Sequence, residues 1–153
     1  MKTAIRFLLV CGCGIPFFGW SADRSWTGSA LDSNWFNSAN WAPSDNYPQP
    51  NEGVYVTNTP RAAVLTGTPV VASFLVISNA TLVLSNWTTQ VAATNLTVWN
   101  AGTITLPPAF GTNEMSNRVY LIAENLTVGP GGSINADSRG YKGAQGPGRG
   151  VSN

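Results

Sequence analysis

The chain has 153 residues, enough for one domain with a sizeable core. Only 10% of them are charged and the formal net charge is +1, against about 25% charged in ordinary soluble domains, which argues against nucleic acid or anionic lipid as a partner. Hydrophobic residues make up 43% and fall in alternating runs, so disorder fits poorly and an all-β chain with a Ser, Thr, Asn and Gly surface is expected.

Residues 1–21 read as a secretory signal peptide. Lys2 and Arg6 supply the positive start and an apolar stretch runs from Phe7 to Trp20. Cleavage after Ser21 would place Gly19 and Ser21 at the two positions that must be small. The stretch is too short and glycine-interrupted for a membrane-spanning helix. Cys11 and Cys13, the only cysteines, both lie inside it. Val10-Cys11-Gly12-Cys13 offers lipidation at Cys13 as an alternative, which would leave Ile15 to Trp20 as an exposed apolar tail. After cleavage six basic residues stand against seven acidic ones, a net charge of −1. A cysteine-free chain has no disulfide framework and no thiolate metal site.

Residues 22–52 are rich in tryptophan and proline. Trp26-Thr27-Gly28 is followed by Asn34-Trp35-Phe36, then Asn40-Trp41, then Pro43, Pro48 and Pro50. The preferred reading is an N-terminal cap, since bulky rings with an N–H donor suit the covering of an open core and its strand edges. The competing reading is a sugar-binding platform in which Trp26, Trp35 and Trp41 stack on pyranose rings.

Residues 53–139 carry an internal repeat. Ala72-Ser73-Phe74-Leu75-Val76-Ile77 aligns with Ala93-Thr94-Asn95-Leu96-Thr97-Val98 and with Ala123-Glu124-Asn125-Leu126-Thr127-Val128, each followed by a turn and another apolar residue. Leu75 to Leu96 is a step of 21 residues, counting back reaches Val54, and Leu96 to Leu126 is a step of 30. Residues two apart share a strand face, so each copy turns two apolar groups inward. One copy cannot bury that face alone, but stacked copies can. The pattern predicts a right-handed parallel β-helix, a solenoid of about three to four coils. The alternative is an antiparallel β-sandwich or jelly roll. The longer step has its cause in Leu106-Pro107-Pro108-Ala109-Phe110-Gly111-Thr112-Asn113-Glu114, expected to leave the ladder as a short excursion.

The order Trp-x-Gly, Asn-Trp, Ala-Asn-Trp, prolines and Val54-Tyr55-Val56 resembles the N-terminal portion of bacterial secreted β-helix proteins of autotransporter-passenger-like and adhesin-like kinds. Gly132 to Gly143 and Gly146-Pro147-Gly148-Arg149-Gly150 resemble their glycine-rich loops. The resemblance implies further coils of the same polypeptide and no catalytic residues. Residues 140–153 are accordingly expected to be a glycine-rich tail, truncated from a longer protein.

Chemistry is sparse. There is no histidine, no Gly-x-Ser-x-Gly and no phosphate-binding Gly-Lys motif. A β-helix polysaccharide lyase would need clustered acidic and basic groups; Glu124 and Asp137 near Arg118, Arg139 and Lys142 are the best candidates, with scattered surface charge the preferred explanation. Asn135, Asp137 and Ser138 are too few for calcium, so no metal and no cofactor is assigned. Four Asn-x-Thr triplets start at Asn79, Asn86, Asn95 and Asn125; a corner role is preferred to glycosylation. The expectation is a non-catalytic structural or adhesive module of a bacterial protein, secreted or on the outer cell surface after passing the periplasm. Its partners would be glycans or cell-surface components. A carbohydrate-binding module, or the non-catalytic N-terminus of a lyase, is the alternative.

Overall fold

Alternation of apolar and polar residues produces short strands here, not helices. The computed structural model describes residues 23–68, 72–111 and 116–147. The expected leader, Cys11 and Cys13, Glu114 and the last residues of the glycine-rich tail lie outside them. In chain order the strands are β1 (Arg24–Trp26), β2 (Trp41–Ala42), β3 (Gly53–Thr57), β4 (Ala63–Leu65), β5 (Ala72–Ser78), β6 (Thr81–Leu84), β7 (Val91–Trp99), β8 (Thr103–Thr105), β9 (Leu121–Val128) and β10 (Ser133–Asn135). A single 3₁₀ turn, Ser38–Asn40, precedes β2.

The strands form two sheets, in the orders β2-β1-β3-β5-β7-β9 and β10-β8-β6-β4. From β3 onward the chain alternates between them, one strand in each. Every named pair is parallel except β1 with β2. An antiparallel sandwich needs antiparallel neighbours, and beyond that one short pair the sheets have none. The all-β class holds.

The repeat copies pair in the register read from the sequence. Val54 lies beside Leu75, Leu75 beside Leu96, and Leu96 beside Leu126. Val56, Ile77, Val98 and Val128 form a second row two residues on. In the other sheet Leu82, Ile104 and Ile134 make a third. Val54, Val56, Ile77, Leu82, Leu96, Val98 and Ile104 are all buried in one cluster that draws on both sheets. Each row places apolar carbon against apolar carbon, about 1.5–3 kcal/mol per buried side chain relative to exposure.

Asparagine shapes the turns between the sheets. Asn58, Asn79 and Asn100 have φ of +51°, +47° and +47°, the left-handed region that Asn tolerates better than most side chains. They are linked along the stack, with Asn58 N–H donating to Ser78 O at 3.1 Å and Asn79 N–H to Asn100 O at 2.8 Å. The triplet asparagines are engaged as well. Asn125 Nδ2 donates to Asn95 Oδ1 at 3.0 Å, Asn79 Nδ2 to Asn58 Oδ1 at 3.4 Å, and Asn86 Nδ2 to Thr66 O at 2.9 Å. These are bonds between copies; Asn79 and Asn86 stand in turns with positive φ, whereas Asn95 and Asn125 lie within β7 and β9 and not at the corner expected for them.

The insertion before β9 is more than an excursion. Phe110 is buried and forms a parallel bridge with Tyr141, their rings 4.6 Å apart. Lys142 N–H donates to Phe110 O at 2.9 Å, and the buried Asn117 Nδ2 donates to the carbonyls of Pro107, Pro108 and Arg139 at 2.9, 3.0 and 2.6 Å. The start of the glycine-rich tail is thereby packed onto the proline-rich insertion. Two isolated rings within Gly/Pro stretches were the available signal.

Candidate functional site

Trp26, Trp35 and Trp41 meet at the β1 end of the first sheet. Trp41 takes the centre, with Trp26 and Trp35 edge-on to it at centroid separations of 5.1 and 4.7 Å. Their exposures are 3%, 3% and 1%. Trp26 Nε1 donates to Arg61 O at 3.0 Å and Trp41 Nε1 to Trp35 O at 2.7 Å. Stacking on a sugar needs an exposed ring face, and none of the three has one. They join the apolar interior instead, so the platform considered for them has no geometric basis.

A charge cluster ties this segment to the sheet. Arg24 and Glu52 are both buried. The guanidinium donates to both carboxylate oxygens, Nε to Oε2 at 2.9 Å and Nη2 to Oε1 at 3.1 Å. Its Nη1 reaches Pro43 O at 2.9 Å and also bonds the Asp45 carboxylate. Hydrogen bonds to Glu52 and then Asp45 hold the guanidinium charged, above its ordinary value. Arg24 in turn holds Asp45 below the usual carboxylate range. With the guanidinium nitrogens turned inward on protein acceptors, this is a clamp and offers little to a substrate.

Asp32 organises the loop beside it. Its carboxylate accepts from Asn37 Nδ2 at 2.7 Å, Asn34 N–H at 2.9 Å and Asn40 Nδ2 at 2.6 Å. The bond from Asn37, followed by those from Asn34 and Asn40, depresses its pKa.

The residues weighed for lyase chemistry do not converge. Glu124 and Asp137 are exposed, on β9 and just after β10. Among the described residues no ion pair joins either to Arg118, Arg139 or Lys142, and no group of three potential metal ligands occurs. Arg118 is engaged elsewhere. Its guanidinium carbon lies 4.3 Å from the Tyr120 ring centroid and 5.2 Å from that of Trp87. Both rings are partly exposed, at 38% and 39%. An arginine held between two aromatic faces can stack with a ring and donate hydrogen bonds to oxygen. Sequence reading passed over this trio because Trp87 sits in a turn and the other two lie some thirty positions on.

The second feature is an open end. Leu126 and Val128 continue the rows of Leu96 and Val98, yet are 49% and 48% exposed where those two are fully buried. Ile134, at the end of its own row, is 36% exposed. No family model, no curated protein and no solved structure matches the chain.

Proposed function

We propose that the chain is a non-catalytic structural or adhesive module of a bacterial protein, secreted or displayed on the cell surface, built as a right-handed parallel β-helix. The carrying observation is the parallel, in-register pairing of Leu75, Leu96 and Leu126 in one sheet, while the strands between them pair in a second sheet over the same interior. Such stacking makes a stiff rod whose faces and corners are available for contact. The right hand follows from the strong preference of strand-to-parallel-strand connections for that sense.

The leader reading supports export. Expression of the full chain with residues 1–21 intact should give a product outside the cytoplasm that begins at Ala22. A product retained inside at full length would remove export from the proposal, and a lipid-modified Cys13 would redirect it to an anchored form.

Carbohydrate binding is a second reading, now resting on Trp87, Arg118 and Tyr120 rather than on the buried tryptophans. Glycan-array binding by the purified chain should disappear in Trp87→Ala and persist in Trp99→Ala, which removes a more exposed ring elsewhere. Equal loss in both variants, or no binding by the parent, rejects the reading.

A further inference from the structure

Arg118 is half-buried, and its Nε is buried without a hydrogen-bond partner. Among the described residues no carboxylate pairs with it, whereas Arg24 holds two. The segment that carries Arg118 is fixed on both sides. Just before it, the buried Asn117 donates from Nδ2 to the carbonyls of Pro107, Pro108 and Arg139. Just after it, Tyr120 O accepts from Val91 N–H at 3.0 Å. Trp87 reaches the same place from the turn between β6 and β7, so the trio spans two successive copies at a turn. A guanidinium with rings against its flat sides keeps its N–H edge for acceptors. An arginine ordered in this way, with a buried donor left unmatched by its own chain, calls for an acceptor from outside.

We propose that Trp87, Arg118 and Tyr120 form a binding site for acidic sugars, in which the guanidinium edge takes the sugar's carboxylate and the partly exposed rings take its apolar face. The inference rests on the carbohydrate reading and adds the substrate class to it. A carboxylate accepts parallel N–H bonds from one guanidinium, charge-assisted and about twice as strong as those to a neutral oxygen. It also supplies the counter-charge that the described residues do not. Attraction by the molecule as a whole does not select an acid, because the formal net charge is only +1. The preference is therefore local to Arg118.

Titration calorimetry of the purified chain tests the proposal, with a panel of uronate- and sialate-bearing oligosaccharides, each measured beside its neutral methyl ester. An acid should bind at least about tenfold tighter than its ester, and the preference should shrink as salt is raised. Arg118→Gln should bring acid and ester to parity while circular dichroism stays unchanged. Arg61→Gln, which removes the same charge from the turn between β3 and β4, should leave the preference intact. Arg118→Lys keeps a charge without the fork and should hold only part of the preference; it takes the place of the glutamine variant if that one does not fold. The acid–ester comparison itself needs no variant. Equal binding of acid and ester by the parent, or a loss in Arg61→Gln as large as in Arg118→Gln, overturns the acidic-sugar inference and leaves the carbohydrate reading standing. No binding to any acid or ester overturns both.

Discussion

Arg24 and Glu52 put the sharpest constraint on any single side chain. Two buried charges are tolerable together because the guanidinium bonds both carboxylate oxygens; either alone is not. Arg24→Met should therefore lower stability by about 3–5 kcal/mol in urea denaturation, and adding Glu52→Leu should recover much of that loss. Asp45 gives the pH dependence. Its folded pKa is depressed by the hydrogen bond from Arg24, so the contact stabilises the fold fully above the unfolded carboxylate value of about 3.9 and is lost as pH falls through the lower folded value. Asp32 acts in the same direction. The melting temperature should decline below about pH 4 through these groups, and the decline should be shallower in Asp45→Asn. Gly102 is constrained by space: a methyl there would collide with the carbonyl of Ile77, as one at Gly132 would with that of Val98. Gly102→Ala should cost about 1–3 kcal/mol as overpacking.

Each strand pair depends on its place in the ladder. Leu96 and Leu126 have the same neighbours in sequence and the same register, but only Leu96 is covered on both sides. Leu96→Ala should cost about 2–5 kcal/mol. Leu126→Ala should cost less than about 1 kcal/mol, by the exposed area involved. The rows of Leu75, Leu96 and Leu126 were legible because period-two alternation and a fixed step are local signals that parallel pairing converts directly into contacts. That Asn95 and Asn125 stand side by side was legible for the same reason, but their place within strands instead of at a corner was not. The packing of Phe110 on Tyr141 was not, since two rings in irregular backbone have no period. Nor was the burial of Trp26, Trp35 and Trp41 against one another: tryptophan suits both an interior and a sugar site, and only three-dimensional proximity decides.

At the level of the molecule, the proposed winding predicts how the chain opens. In a stack each copy is stabilised by its own strands and by the copy on either side. β5 and β7 have parallel partners on both edges, whereas β9 and β10 have one each. The turn joining β9 to β10 is also bonded to the copy before it, with Asn100 N–H donating to Pro130 O at 2.8 Å and Ala101 N–H to Gly131 O at 3.0 Å. β9, that turn and β10 should therefore detach together, at a lower free energy than β5 and β7. Native-state hydrogen exchange read strand by strand would check this. Amides of β9 and β10 should share one opening free energy below that of β5 and β7. Independent opening of β9 and β10 would mean the two sheets are not coupled copy by copy, and the winding proposal would fail with them.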